Sequence, residues 1–197
     1  SSNSSNNHSS AASAYRDAAR GGGYTYSIFR SFFSFDTTSI TTRPLSAKLY
    51  LRGYSQAVGT PVILKSTSNI STLAANDFNQ IEGYSSGHYN RTDGIGGGDA
   101  QSHVTLYSSY GTGVSVSWST SGYNTIILLP NALIDMAENP AIYMAFVNWD
   151  YDMADISPSG NTSHRNGLYY TDNTGDSADP YITYKESTPA TFFGANF

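Results

Sequence analysis

No cysteine occurs among the 197 residues, so disulfide staples and thiolate chemistry are excluded, and secretion finds no support from a disulfide pattern. Charge is also scarce. Only 13% of residues are charged, and the net charge of −5 leaves no basic patch to neutralise nucleic-acid phosphates. No apolar run approaches the roughly 20 residues that cross a bilayer, so membrane insertion by a helix is excluded. The four histidines, His8, His88, His103 and His164, have no second His or Cys at zinc-ligand spacing. No Gly-x-Ser-x-Gly elbow is present. The three glutamates, Glu82, Glu138 and Glu186, fall beside a loop, on a helix candidate and past the last strand, which is no glycosidase pair. The chain is therefore expected to be non-enzymatic.

What is abundant is Ser, Thr, Asn, Gly and Tyr. Sixteen tyrosines against three lysines suit an extracellular β-protein whose rigid amphipathic rings meet a partner. The length fits one all-β domain with tails, large enough to fold on its own core. The chain begins without Met, as a processed product or a fragment would.

Residues 1–23 begin with Ser and Asn and end in Gly21-Gly22-Gly23, and read as a flexible tail or connector with a short helix possible over 11–20. The domain spans 24–185. Residues 24–36 form one aromatic strand carrying Ile28, Phe29, Phe32, Phe33 and Phe35, with Arg30 inside it. Arg30 is expected to pair with Asp36 or another acid. In residues 46–53, Ala47, Leu49 and Leu51 alternate with Lys48, Tyr50 and Arg52, the period of a sheet with one wet face. Further strands are predicted at 62–66, 104–107, 114–118, 124–129 (continuously apolar, hence buried), 141–149, 168–171 and 181–184. A helical turn falls within 70–81, and glycine-rich residues 84–100 and polar residues 150–166 read as loops. Residues 130–139 form the one helix, with Ala132, Leu133 and Met136 on a single face and Asn139-Pro140 as its stop. About eight strands at regular spacing argue for a jelly-roll β-sandwich. Trp118 and Trp149 belong to its core.

Two acidic clusters carry candidate metal chemistry. Asp150, Asp152 and Asp155 follow a strand, and Asp172, Asp176 and Asp179 lie between the last two strands. No cofactor is required, but calcium takes six to eight oxygens in flexible geometry, and such loops can supply them. The competing reading is that Asp and Asn simply make turns there, with Asp179 opening the closing strand. Tyr84, Tyr89, Tyr110 and Tyr151 lie in or beside loops, where flat rings would stack on sugars. Beyond the last strand, residues 186–197 end in Thr-Phe-Phe-Gly-Ala-Asn-Phe, so Phe192, Phe193 and Phe197 form an apolar docking tail.

The order of several motifs resembles one family. Arg30-Ser31-Phe32-Phe33-Ser34-Phe35-Asp36-Thr37, Ser46-Ala47-Lys48-Leu49-Tyr50-Leu51, Phe78 within its Asn-Asp-Phe-Asn segment, Ser121-Gly122-Tyr123-Asn124-Thr125-Ile126 and Asp179-Pro180-Tyr181-Ile182-Thr183-Tyr184 are similar to the ordered motifs of DNRLRE-type modules. The likeness covers roughly residues 26–185. It implies a non-catalytic jelly-roll module of the kind found in phage virion and bacterial surface proteins. Two expectations follow. The first is a structural or adhesion protein of an extracellular assembly, a virion fibre or decoration protein whose tails bind other copies or other virion and surface proteins. The second is a carbohydrate-binding module that grips polysaccharide through its Tyr-rich loops.

Overall fold

A computed structural model describes residues 8–18, 22–57, 59–67, 75–84, 103–109, 117–159, 163–170 and 178–187. Among them run nine strands: β1 (His8–Ala18), β2 (Tyr24–Phe29), β3 (Ser31–Asp36), β4 (Ser46–Ala57), β5 (Pro61–Lys65), β6 (Tyr123–Ile127), β7 (Ala141–Asn148), β8 (Ser163–Tyr169) and β9 (Tyr181–Lys185). One α-helix, α1 (Pro130–Glu138), joins β6 to β7. All pairings are antiparallel. The larger sheet has the order β2-β1-β8-β4-β6, with β9 also paired to β4, and the smaller has the order β3-β7-β5. The protein is an all-β sandwich.

The core follows from the alternation along β4. Ala47, Leu49 and Leu51 are buried and meet Ile63 of β5, Met144 and Phe146 of β7 and Leu168 of β8. Helix α1 closes this core with Ala132, Leu133 and Met136. Pro130 opens the helix and the Asn139 N–H, bonded back to the Asp135 carbonyl at 3.1 Å, ends it. The smaller sheet is covered on its other side too. There Val62, Leu64, Ala145 and Val147 pack against Ile81, Val104, Trp149 and Met153. Burial on both faces explains why β5 and β7 read as continuous apolar runs. Trp118 stacks on Phe146 with ring centroids 5.4 Å apart and donates its Nε1–H to the Gly167 carbonyl.

Five expectations are corrected. Residues 8–18 are neither tail nor helix but a strand held between β2 and β8. The run from Tyr24 to Asp36 is two strands in different sheets, broken at Arg30, and β3 is a half-buried edge. Residues 104–107 are not a strand and make a single isolated bridge, Leu106 to Leu64. Strand β6 is not buried throughout, because Ile127 lies opposite Lys48 on the outer face and is 64% exposed. The polar stretch after β7 is structured: a π-helical turn over Trp149–Met153 precedes β8, which starts at Ser163 rather than at 168.

Candidate functional site

Arg30 occupies the corner where the chain leaves one sheet for the other. Its side chain is 1% exposed and pairs with Asp152, which is fully buried. Nε and Nη2 reach the two carboxylate oxygens at 2.8 and 2.7 Å, and Nη1 donates to the Phe78 carbonyl at 2.6 Å. The guanidinium also lies 4.0 Å from the Phe78 ring centroid and 4.4 Å from that of Tyr84. This two-pronged, ring-flanked pair is a structural pin.

That pin removes Asp152 from the expected calcium loop. Asp150 instead accepts a hydrogen bond from the Thr60 hydroxyl, tying the loop to the start of β5. Asp155 sits exposed at φ 52, a left-handed turn position that Asp tolerates. Partial burial, and then the Asp152 charge, raise its carboxyl above the ordinary range. Among the described residues no three His, Asp or Glu side chains gather into a metal-sized group. Asp172 and Asp176 lie outside the described residues, as do Tyr89, Tyr110, Phe192, Phe193 and Phe197. The other two loop tyrosines are engaged internally. Tyr84 flanks Arg30 and packs on the second core, and Tyr151 lies against the His164 ring at 4.1 Å.

A charged cleft of about 460 Å³ opens between the end of β5, α1 and the start of β7. Lys65 Nζ lies 3.2 Å from Glu82 and 3.1 Å from Asp135, and the Tyr107 hydroxyl donates to Asp135. Burial works to lower the Lys65 pKa, but the hydrogen bonds and charges of Asp135 and Glu82 outweigh it and raise the value. Burial, then the Asp135 hydrogen bond and charge, push the Tyr107 phenol far above its ordinary range. Lysine and phenol are thus held protonated, in a network that ties four segments together. Sequence reading missed it because Asp135 looked like the polar face of a surface helix.

Two surfaces face solvent with aromatic groups. On the outer face of β9-β4-β6, Tyr50 and Tyr181 lie opposite one another and stack, with centroids 4.6 Å apart and planes 7° from parallel. Tyr123 meets Tyr181 edge-on at 5.2 Å, its hydroxyl donates to the Asp179 carbonyl, and the Arg52 guanidinium lies 5.9 Å from its ring centroid. Lys48 and Lys185 share this face by register. The second surface is β2, which pairs only with β1 among the described residues. Tyr24, Tyr26 and Ile28 are 53, 50 and 39% exposed. Period-2 alternation could have found the β4 tyrosine, but only the register joins it to Tyr181 and Tyr123.

No protein-family model, no curated protein and no solved structure matches the chain. The class that the fold defines is an antiparallel β-sandwich, with aromatic side chains facing solvent on β9-β4-β6 and on β2.

Proposed function

We propose that the chain is a non-enzymatic structural or adhesion component of an extracellular assembly, a virion fibre or decoration protein or its cell-surface counterpart, built on a jelly roll. The strand order supports the jelly-roll reading. With β2 and β9 set aside as additions, β1-β8-β4-β6 faces β3-β7-β5, and Leu106 bridges the open side of β5. That is the nested order of two Greek keys, an architecture shared by capsid and lectin domains. The observation that carries the assembly reading is β2, an uncharged strand at the edge of a sheet with large apolar side chains in solvent. Soluble proteins normally guard such edges with lysine, proline or a covering loop, so an edge that no strand covers among the described residues fits a subunit contact. Sedimentation velocity of the intact chain from 1 to 100 µM tests it, with electron micrographs of the concentrated sample. Concentration-dependent oligomers support the reading, and a monomer throughout that range refutes it.

A second reading has its own observation. The Tyr50, Tyr181 and Tyr123 cluster, flanked by Lys48, Arg52 and Lys185, offers ring edges, hydroxyls and positive charge to an acidic polysaccharide. A glycan array run with and without a chelator tests it. Binding that disappears in Tyr181→Ala and Arg52→Ala places the ligand on this face, whereas silence on every glycan refutes it.

A further inference from the structure

Strand β2 is the overhanging end of the larger sheet. Ala14 of β1 is fully buried and lies opposite Ile28, so Ile28, Tyr26 and Tyr24 continue the core-facing side of the sheet. Their exposure shows that no described part of the smaller sheet covers them there. In an antiparallel pair alternate residues turn both N–H and C=O to the outer side, and among the described residues no strand pairs there, so β2 presents a template for one more strand.

We infer that this template receives residues 191–197 of a second copy, which rests on the assembly reading above. The segment Thr-Phe-Phe-Gly-Ala-Asn-Phe has the period of a strand. Phe193, Ala195 and Phe197 fall on one face and would extend the stripe formed by Tyr24, Tyr26 and Ile28. The side chains of both segments are uncharged, and the cation beside the acceptor stripe, Arg16 of β1, is held over the Tyr24 ring at 3.7 Å from its centroid.

Register excludes the chain's own β2 as the acceptor. Strand β9 runs from Tyr181 opposite Tyr50 to Lys185 opposite Ser46, so the chain leaves beside the start of β4. Strand β8 pairs with the other end of β4, placing Arg165 opposite both Ala57 and Ser13, and Ser13 lies opposite Phe29. The nearest residue of β2 is therefore level with Ala57, eleven residues of strand from Ser46. That is roughly 36 Å at about 3.3 Å per residue. The six steps from Lys185 to Thr191 span at most about 22 Å fully extended. Only a neighbour's β2 is within reach, and the contact is head-to-tail.

Two full-length variants test this by mixing. Tyr26→Lys blocks the acceptor and Phe193→Lys blocks the donor, and Tyr26 is exposed enough for the substitution to leave the fold intact. Circular dichroism and a thermal midpoint like those of the parent check that, with Tyr24→Lys as the alternative acceptor variant. Each variant alone should sediment as a monomer at concentrations where the parent chain associates, with at least tenfold weaker association. An equimolar mixture should form 1:1 dimers that grow no further, because Tyr26→Lys keeps only its donor and Phe193→Lys keeps only its acceptor. Association of Tyr26→Lys like that of the parent overturns β2 as acceptor while the assembly reading stands. Dimers of Phe193→Lys alone reveal symmetric β2-to-β2 pairing and overturn the donor. Monomers of the parent chain at 100 µM overturn both inferences together.

Discussion

Removing the Asp152 carboxylate should be the most damaging single change that leaves the apolar core intact. Arg30 and Asp152 are 1 and 0% exposed, so neither charge can fall back on solvent when its partner goes. Breaking a buried pair in this way costs about 3–5 kcal/mol, most of it from the stranded charge. Against a total stability of roughly 5–15 kcal/mol, Asp152→Ala should remove about a fifth or more. At about 2–4 °C per kcal/mol for a chain of this size, the thermal midpoint should fall by roughly 6–20 °C. Asp152→Asn keeps one oxygen for the guanidinium and should cost about 1.5–3 kcal/mol, the worth of a hydrogen bond to a charged group. Arg30→Ala should match or exceed Asp152→Ala, since it also empties the space between the Phe78 and Tyr84 rings and unpairs the Phe78 carbonyl.

The double variant Arg30→Met with Asp152→Leu separates the pin from its charges. Replacing both members by apolar groups is often neutral, so it should cost far less than the sum of the single changes. Urea unfolding followed by tryptophan fluorescence suits the measurement, because Trp149 opens the same turn that presents Asp152. A loss below about 1 kcal/mol in Asp152→Ala, the range of an exposed pair, would refute the claim that this contact holds the corner.

Other sites give equally direct tests. Leu49→Ala opens a hole in the centre of the core, where Leu49 is fully buried, and should cost about 2–5 kcal/mol in the same urea assay. Gly53→Ala should be disruptive out of proportion to one methyl group, because a Cβ there would lie 1.7 Å from the Ser119 carbonyl oxygen. Its signature would be lost protection of the amides around Ser119 and Asn124 in hydrogen exchange. Tyr107 has a folded pKa above its unfolded value, so its contribution is fully present below about pH 10 and is lost as pH rises above that. Spectrophotometric titration at 295 nm should show fewer tyrosinates in the folded protein than in the denatured one at pH 11.5, and Tyr107→Phe should shrink that difference by about one tyrosinate.

The parts of the fold that were legible are those in which local pattern and burial agree. Ala47, Leu49 and Leu51 announce their face through period-2 alternation, and Ala132, Leu133 and Met136 announce theirs through helical spacing. Strand β1 was illegible for the converse reason. His8–Ala18 has weak intrinsic strand preference and is a strand because β2 and β8 supply ladders on both sides. The break at Arg30 was hidden too. Nothing between Tyr24 and Asp36 interrupts the run of strand formers, and the residue that makes Arg30 a corner lies 122 positions away. The tyrosines show the same limit. Tyr84 and Tyr50 look alike in sequence, yet one flanks a buried guanidinium and the other faces solvent beside Tyr181.

This difference between local and long-range information bears on the proposed assembly. In the proposed contact the donor follows β9 and the acceptor is β2, so each added copy would cover one β2 edge and bring another. Such a heterologous contact cannot cap itself as a symmetric pair does; it closes into a ring or extends as a filament, according to the rotation between copies. The added strand would continue a twisted sheet in which each strand turns by about 20–25° relative to its neighbour. Successive copies must therefore be rotated rather than simply translated. Electron micrographs of the parent chain should show rings of one size or filaments with a regular helical repeat. Shapeless aggregates with no defined subunit spacing would point instead to unspecific apolar contact at β2 and would count against the register argued here.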